Sequence, residues 1–242
     1  MKILHVLILA GALLGFQACS GSKNFTDNPA APGFNAAGSD ARAVAIADEV
    51  MHAMGGRKAW DETRGLSWTF FNRRKLSWDK HAGTCRIEWL TKKQVIEVNL
   101  NSGAGTVVLN DVVQTYPDSL AKYLDIGKKV WINDSYWLVM PFKLKDSGVT
   151  LRYLGDAKTE SGEASDLLQL TFAGVGVTPD NKYHVWVDKK SRLVTQWAYF
   201  EKFTDDKPGL TNAWSGYIKV GKILISTERG SRGSMAPVEA LD

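Results

Sequence analysis

Cysteine is scarce in this chain. Its 242 residues contain two, Cys19 and Cys85. A disulfide-stapled scaffold is therefore excluded, and stability has to come from a packed core. Proline is also sparse, with seven residues at no fixed period, which excludes collagen-like and polyproline architectures. Charge of one sign is missing too. Thirty Lys and Arg face 26 Asp and Glu, a formal net charge of +4, too slight for a nucleic-acid footprint. Long apolar runs are absent after residue 16, so nothing beyond that point reads as a membrane-spanning helix. What the chain does have is aromatic residues: nine Trp, seven Tyr and nine Phe, enough to build a sizeable core.

The amino terminus reads as an address. Met1 and Lys2 form a short positive segment, and Ile3 to Phe16 is apolar apart from His5 and two glycines. As a helix those residues reach only ~21 Å, short of the ~30 Å hydrocarbon core, so residues 1–18 read as a signal peptide. The segment ends in Phe16-Gln17-Ala18-Cys19-Ser20, which resembles the bacterial lipobox. That resemblance implies acylation of Cys19, palmitate among the chains, and cleavage before it. An ordinary secretory signal that happens to contain a cysteine is the alternative. Several acyl chains, at ~0.8 kcal/mol per buried CH₂, anchor a soluble domain firmly. Ser20 in place of an aspartate implies outer-membrane placement. The absence of acids in Gly21-Ser22-Lys23-Asn24 favours the periplasmic side.

Residues 19–39 are rich in Gly, Ser, Asn, Pro and Ala and are expected to form a flexible tether with a reach of about 25 Å. A helix follows, capped by Ser39 or Asp40, with Ala43, Ile46, Ala47, Val50, Met51 and Met54 on one face, and Gly55-Gly56 stops it. A short turn from Lys58 to Thr63 carries Trp60. From Gly65 the period changes to two, with strands at 67–70, 86–89, 94–100 and 106–109. Pro117 opens a helical stretch that Gly127 is expected to end. A second, aromatic segment runs from Val130 to Met140 and stops at Pro141. Strands are expected near 148–154, 165–173, 182–188, 193–203, 211–219 and 222–229, and residues 231–242 as an exposed tail. The fold class is mainly β (α+β): a single curved antiparallel sheet or unclosed β-barrel over residues 40–230, with an N-terminal helix and a mid-chain helical insert.

Three stretches carry a family resemblance. They are the helix that runs into strands, the insert ending Tyr136-Trp137-Leu138-Val139-Met140-Pro141-Phe142, and Tyr183-His184-Val185-Trp186-Val187-Asp188 followed by Leu193-Val194. In this order they resemble the LolA-like superfamily of periplasmic lipoprotein carriers, outer-membrane acceptors and envelope sensor domains. The resemblance implies an unclosed antiparallel barrel covered by helices, with an apolar cavity for acyl chains. The carriers' functional arginine has no match here. A lipid anchor of its own favours an acceptor, a resident binder or a sensor over a shuttle.

Catalytic patterns are weak. His81 and Cys85 are separated by a turn glycine, and no further ligands stand at zinc-like spacing. Cys85 shares a strand face with Ile87 and Trp89 and is expected to be buried and unreactive. His184 stands alone. Asp118, Asp125, Asp134, Asp205 and Asp206 are scattered carboxylates. Gly174-Val175-Gly176 precedes no helix pattern, so it is no dinucleotide fingerprint. No metal, cofactor, nucleic acid or enzymatic reaction is expected. The aromatics are what remains. Trp131, Trp137, Met140 and Phe142 in the insert, with Trp68, Phe70 and Trp89 on strand faces, are the candidate residues for a hydrophobic or lipid-linked ligand; core packing is their other role. A module that contacts a protein partner through its sheet is the alternative function.

Overall fold

The computed structural model describes residues 27–242. The signal peptide, Cys19 and the tether up to residue 26 lie outside the described residues. The fold is mainly β and unclosed, with helices laid over three antiparallel sheets.

Helix α1 (Ala41–Ala53) forms as the period predicts. Ala43, Ile46, Ala47, Val50 and Met51 are buried on one face. Asp40 occupies the N-cap position without capping. Its carboxylate instead accepts the backbone N–H of Tyr153 (2.9 Å) and pairs with Arg152. Ser39 accepts the N–H of Leu151 (2.9 Å) through Oγ. The two residues expected to start the helix therefore pin it to a strand more than 100 positions away. A left-handed Gly55-Gly56 pair ends the helix, and a Cβ at Gly55 would stand 2.6 Å from the Lys222 carbonyl. Helix α2 (Arg57–Glu62) buries Trp60.

The first sheet contains β1 (Gly65–Phe70), β2 (Arg74–Asp79), β3 (Thr84–Trp89), β4 (Gln94–Asn99), β5 (Gly105–Leu109) and β6 (Val112–Val113) in a meander. Its register aligns Trp68, Leu76, Ile87, Ile96 and Val107 in one cross-strand row, all fully buried. Positive φ at Asn110-Asp111 makes the two-residue turn of the β5–β6 hairpin, and positive φ at Phe71 and Asn72 turns the chain in the three-residue β1–β2 connection.

Helix α3 (Pro117–Val139) crosses this row as one continuous helix of 23 residues. This corrects the expected break at Gly127. A Cβ at Gly127 would stand 2.7 Å from Ile96 Cγ2, so the glycine permits close approach of helix to sheet rather than ending the helix. A 3-10 turn, Met140–Lys143, follows and contains Pro141.

The second sheet has the order β11-β10-β9-β8-β7, from β7 (Val149–Lys158), β8 (Ala164–Phe172), β9 (Lys182–Asp188), β10 (Val194–Phe200) and β11 (Leu210–Ala213). The single strand expected at 211–219 divides at buried Trp214. β12 (Ser215–Val220) leaves that sheet and pairs with β13 (Ile223–Glu228) as a third.

Both ends of the domain differ from expectation. Residues 27–39 are fixed to the body: Asn28 donates to Asp48 (2.8 Å), and the N–H groups of Ala31 and Asn35 reach the carbonyls of Lys145 and Val149. The expected tail contains β14 (Val238–Leu241), paired antiparallel with β1, with Met235 fully buried. All six residues of β1 are buried, so its second edge needs a partner, and β14 supplies it.

Candidate functional site: an aromatic cavity

A cavity of about 550 Å³ lies where the C-terminal half of α3 faces the second sheet. That is within the usual size range of small-molecule sites. α3 contributes Trp131, Ile132, Asn133, Ser135, Tyr136 and Trp137, and β2 contributes Trp78. From the second sheet come Val149, Phe172, Tyr183, Trp197, Tyr199 and Leu210. Lys143, Asp146, Ser147 and Asn181 complete the wall, with Val175 to Thr178 from the β8–β9 loop. In that loop Gly174 and Gly176 both have positive φ.

The rings interlock by edges. Trp137 meets Trp197 at 4.8 Å and 87°, and Phe172 meets Tyr183 at 5.3 Å and 82°. Tyr183 also touches Tyr136, Trp197 and Tyr199, at 5.5, 5.1 and 5.8 Å. Asn181 donates to the Glu201 carbonyl (2.6 Å) and to the Tyr199 hydroxyl (3.4 Å). Burial pushes the phenols of Tyr136 and Tyr183 well above their ordinary range, so both remain protonated. The Tyr136 hydroxyl and the indole N–H groups of Trp131 and Trp197 are buried without hydrogen-bond partners among the described residues. Lys143 and Asp146 are ion-paired with each other.

Two buried ionic groups fix the helix that forms this wall. Asp134 is fully buried and receives Arg74 in a two-point contact (2.8 and 2.9 Å), plus Asn133. Burial raises its pKa, opposed by Arg74. Arg229 is fully buried at the end of α3. It donates to the Trp137 carbonyl (2.5 Å), the Ser226 hydroxyl and the Glu228 carbonyl, and lies 3.6 Å over the Trp214 ring. Burial pulls its pKa down to about 9, so it remains charged at neutral pH while satisfying the exposed carbonyl end of the helix.

Of the residues proposed from sequence, the structure brings Trp131 and Trp137 to the cavity wall. It places Trp68, Phe70, Met140 and Phe142 in the packed core. Trp68 belongs to the cross-strand row, and Phe142 stacks on Trp60 at 4.4 Å. Trp89 is half-buried at the end of β3, away from the wall. The aromatic wall residues not singled out in advance are Trp78, Tyr136, Phe172, Tyr183, Trp197 and Tyr199. Period-two alternation groups Tyr183 with Val185, and Trp197 with Tyr199. Which face is concave is decided only by where α3 lies. His81 and Cys85 do not converge: His81 Nε2 contacts the Asp61 carbonyl (2.8 Å), while Cys85 is buried under the sheet. His184 sits on the opposite face from Tyr183, against Phe200 and Trp186. Among the described residues no group of three His, Cys, Asp or Glu is placed to hold a metal ion, and no helix is long and apolar enough to cross a membrane.

Fold and site together define an unclosed antiparallel β domain whose long helix closes an aromatic cavity against a second sheet. No family model and no curated protein matches the chain. Two solved structures are similar to it. One is a DUF1329 family protein from Desulfovibrio piger ATCC 29098, 14% identical, with a TM-score of 0.44 over 82% of this chain and 92% of that one. The other is a LolA superfamily protein from Nitrosomonas europaea, 9% identical, with a TM-score of 0.42 over 83% of this chain and 94% of that one. At such identities the likeness concerns the fold alone.

Proposed function

We propose that this protein is a lipoprotein, anchored through Cys19 to the outer membrane on its periplasmic side, whose domain holds a hydrophobic or lipid-linked ligand without chemical turnover. The observation that supports the ligand is the cavity: about 550 Å³ walled mainly by apolar side chains, eight of them aromatic. The anchor rests on the lipobox-like Ala18-Cys19 alone.

Native mass spectrometry of protein purified from its own envelope tests the ligand, because a bound molecule appears as added mass. Protein that arrives empty and takes up no hydrophobic probe removes this function. Cys19→Ser tests the anchor separately: the variant is expected in the soluble periplasmic fraction. A variant that still sediments with membranes, together with a wild type that metabolic acyl labelling never marks, refutes the lipoprotein reading.

A second reading has its own observation. Val112, Val113 and Tyr116 are 60–70% exposed at the edge of the first sheet, where β6 has an unpaired side. An interaction or sensor module would use such an edge for a protein partner. It gains if the cavity proves unable to hold any hydrophobic molecule.

A further inference from the structure

The rings around the cavity are numerous, but the way they face each other is more informative. Among Tyr136, Trp137, Phe172, Tyr183, Trp197 and Tyr199, every close pair is tilted or edge-on, with interplanar angles from 32° to 87°. The near-parallel stack among the described residues, Trp60 on Phe142 at 12°, lies in the core outside the wall. The wall rings therefore do not cover each other's faces with parallel partners. Tyr183 is the hub, touching four of the other five.

Charge narrows the choice. The two charged residues of the wall, Lys143 and Asp146, neutralise each other, so no unpaired charge there awaits a carboxylate or phosphate head group. The remaining polar side chains are neutral; the Asn133 and Asn181 amides already donate to Asp134, Glu201 and Tyr199, which leaves the unpartnered Tyr136 hydroxyl and the indole N–H groups of Trp131 and Trp197 as donors among the described residues. Such groups suit carbonyl oxygens. An aliphatic chain would find mostly ring faces and edges, and would lose its rotational freedom on entry. A rigid planar molecule loses less and offers its own π face to the rings.

We propose that the cavity selects a planar, π-conjugated, uncharged ligand bearing carbonyl-type acceptors, of the quinone class, over a saturated acyl chain. This rests on the reading that the cavity holds a hydrophobic ligand, and concerns binding only.

The test uses the purified full-length protein with two probes. One is a dimethylnaphthoquinone, both of whose reactive ring carbons are blocked against thiol addition; the other is palmitic acid. Isothermal titration and quenching of Trp fluorescence report affinity. The quinone is expected to bind at least about tenfold more tightly, a margin that a few ring contacts supply. Tyr183→Leu, which keeps apolar bulk but removes the hub ring, is expected to weaken the quinone by about tenfold and leave palmitate unchanged. Tyr199→Leu replaces it if that variant does not fold, with the same expectation. Palmitate binding as tightly as the quinone, or variants that weaken both probes equally, overturns the selectivity while leaving a hydrophobic binder. Neither probe binding removes the hydrophobic-ligand reading itself, and this inference with it.

Discussion

Replacing Trp137 by alanine separates a cavity wall from a packed core. A fully enclosed tryptophan truncated to alanine costs ~3–5 kcal/mol, because its transfer free energy is lost and a void remains. Trp137 is only partly enclosed, since one side of its ring faces the cavity. Its packed contacts are edge-on rings: Trp197 at 4.8 Å, Phe71 at 5.5 Å and Phe70 at 6.4 Å. Each such pair contributes ~0.5–1.5 kcal/mol beyond its buried area. The Arg229 contact is made by the Trp137 main-chain carbonyl and survives the substitution. The ligand-free loss is therefore expected near ~2–3 kcal/mol. Trp68→Ala supplies the reference: that ring is fully buried, and its loss belongs in the full ~3–5 kcal/mol range. Urea midpoints of both variants, read at a common m-value, give the comparison. Titration with either hydrophobic probe should then show weaker binding for Trp137→Ala and little change for Trp68→Ala. Equal stability losses with undiminished probe binding by Trp137→Ala would refute the reasoning and make the insert plain core.

Other outcomes follow from buried groups. Cys85 is 1% exposed, and burial, with a smaller contribution from Asp134, pushes its thiol far up. A thiol reagent without denaturant should react with it at the rate of global unfolding; labelling within seconds would contradict the structure. Arg74→Ala leaves the buried Asp134 carboxylate uncompensated and should cost ~3–5 kcal/mol, with Asp134→Asn costing less; a thermal melt showing the opposite order would remove the buried pair as the cause. Burial, aided by Lys182, lowers His184 from 6.5 to about 4. The folded state then resists a proton that the unfolded chain accepts. The His184 contribution should be complete above pH 6.5 and lost as pH falls from 6.5 towards 4. An NMR titration of its ring placing the midpoint near 6.5 would disprove this.

Local pattern determined much of this protein. The face of α1 is legible because Ala43, Ile46, Ala47 and Val50 recur at helical spacing. Strands β3, β4 and β9 are legible because one face is buried and the other wet, which writes a period of two into the sequence. The burial of Cys85 follows from the same alternation. Trp131 and Trp137 could be proposed for the wall from the aromatic density of their segment, but Met140 and Phe142 from the same segment turn into the core with the 3-10 turn. Tertiary structure decided what depends on close approach between distant segments. Gly127 looks like a helix stop until Ile96 is placed beneath it. β14 looks like a tail, with four residues behind a proline, until the second edge of β1 requires a partner. The cavity itself was illegible for the same reason: alternation groups Tyr183 with Val185 and Trp197 with Tyr199, but whether those faces look at solvent or at α3 is fixed by packing across more than forty residues of chain, which no local period records.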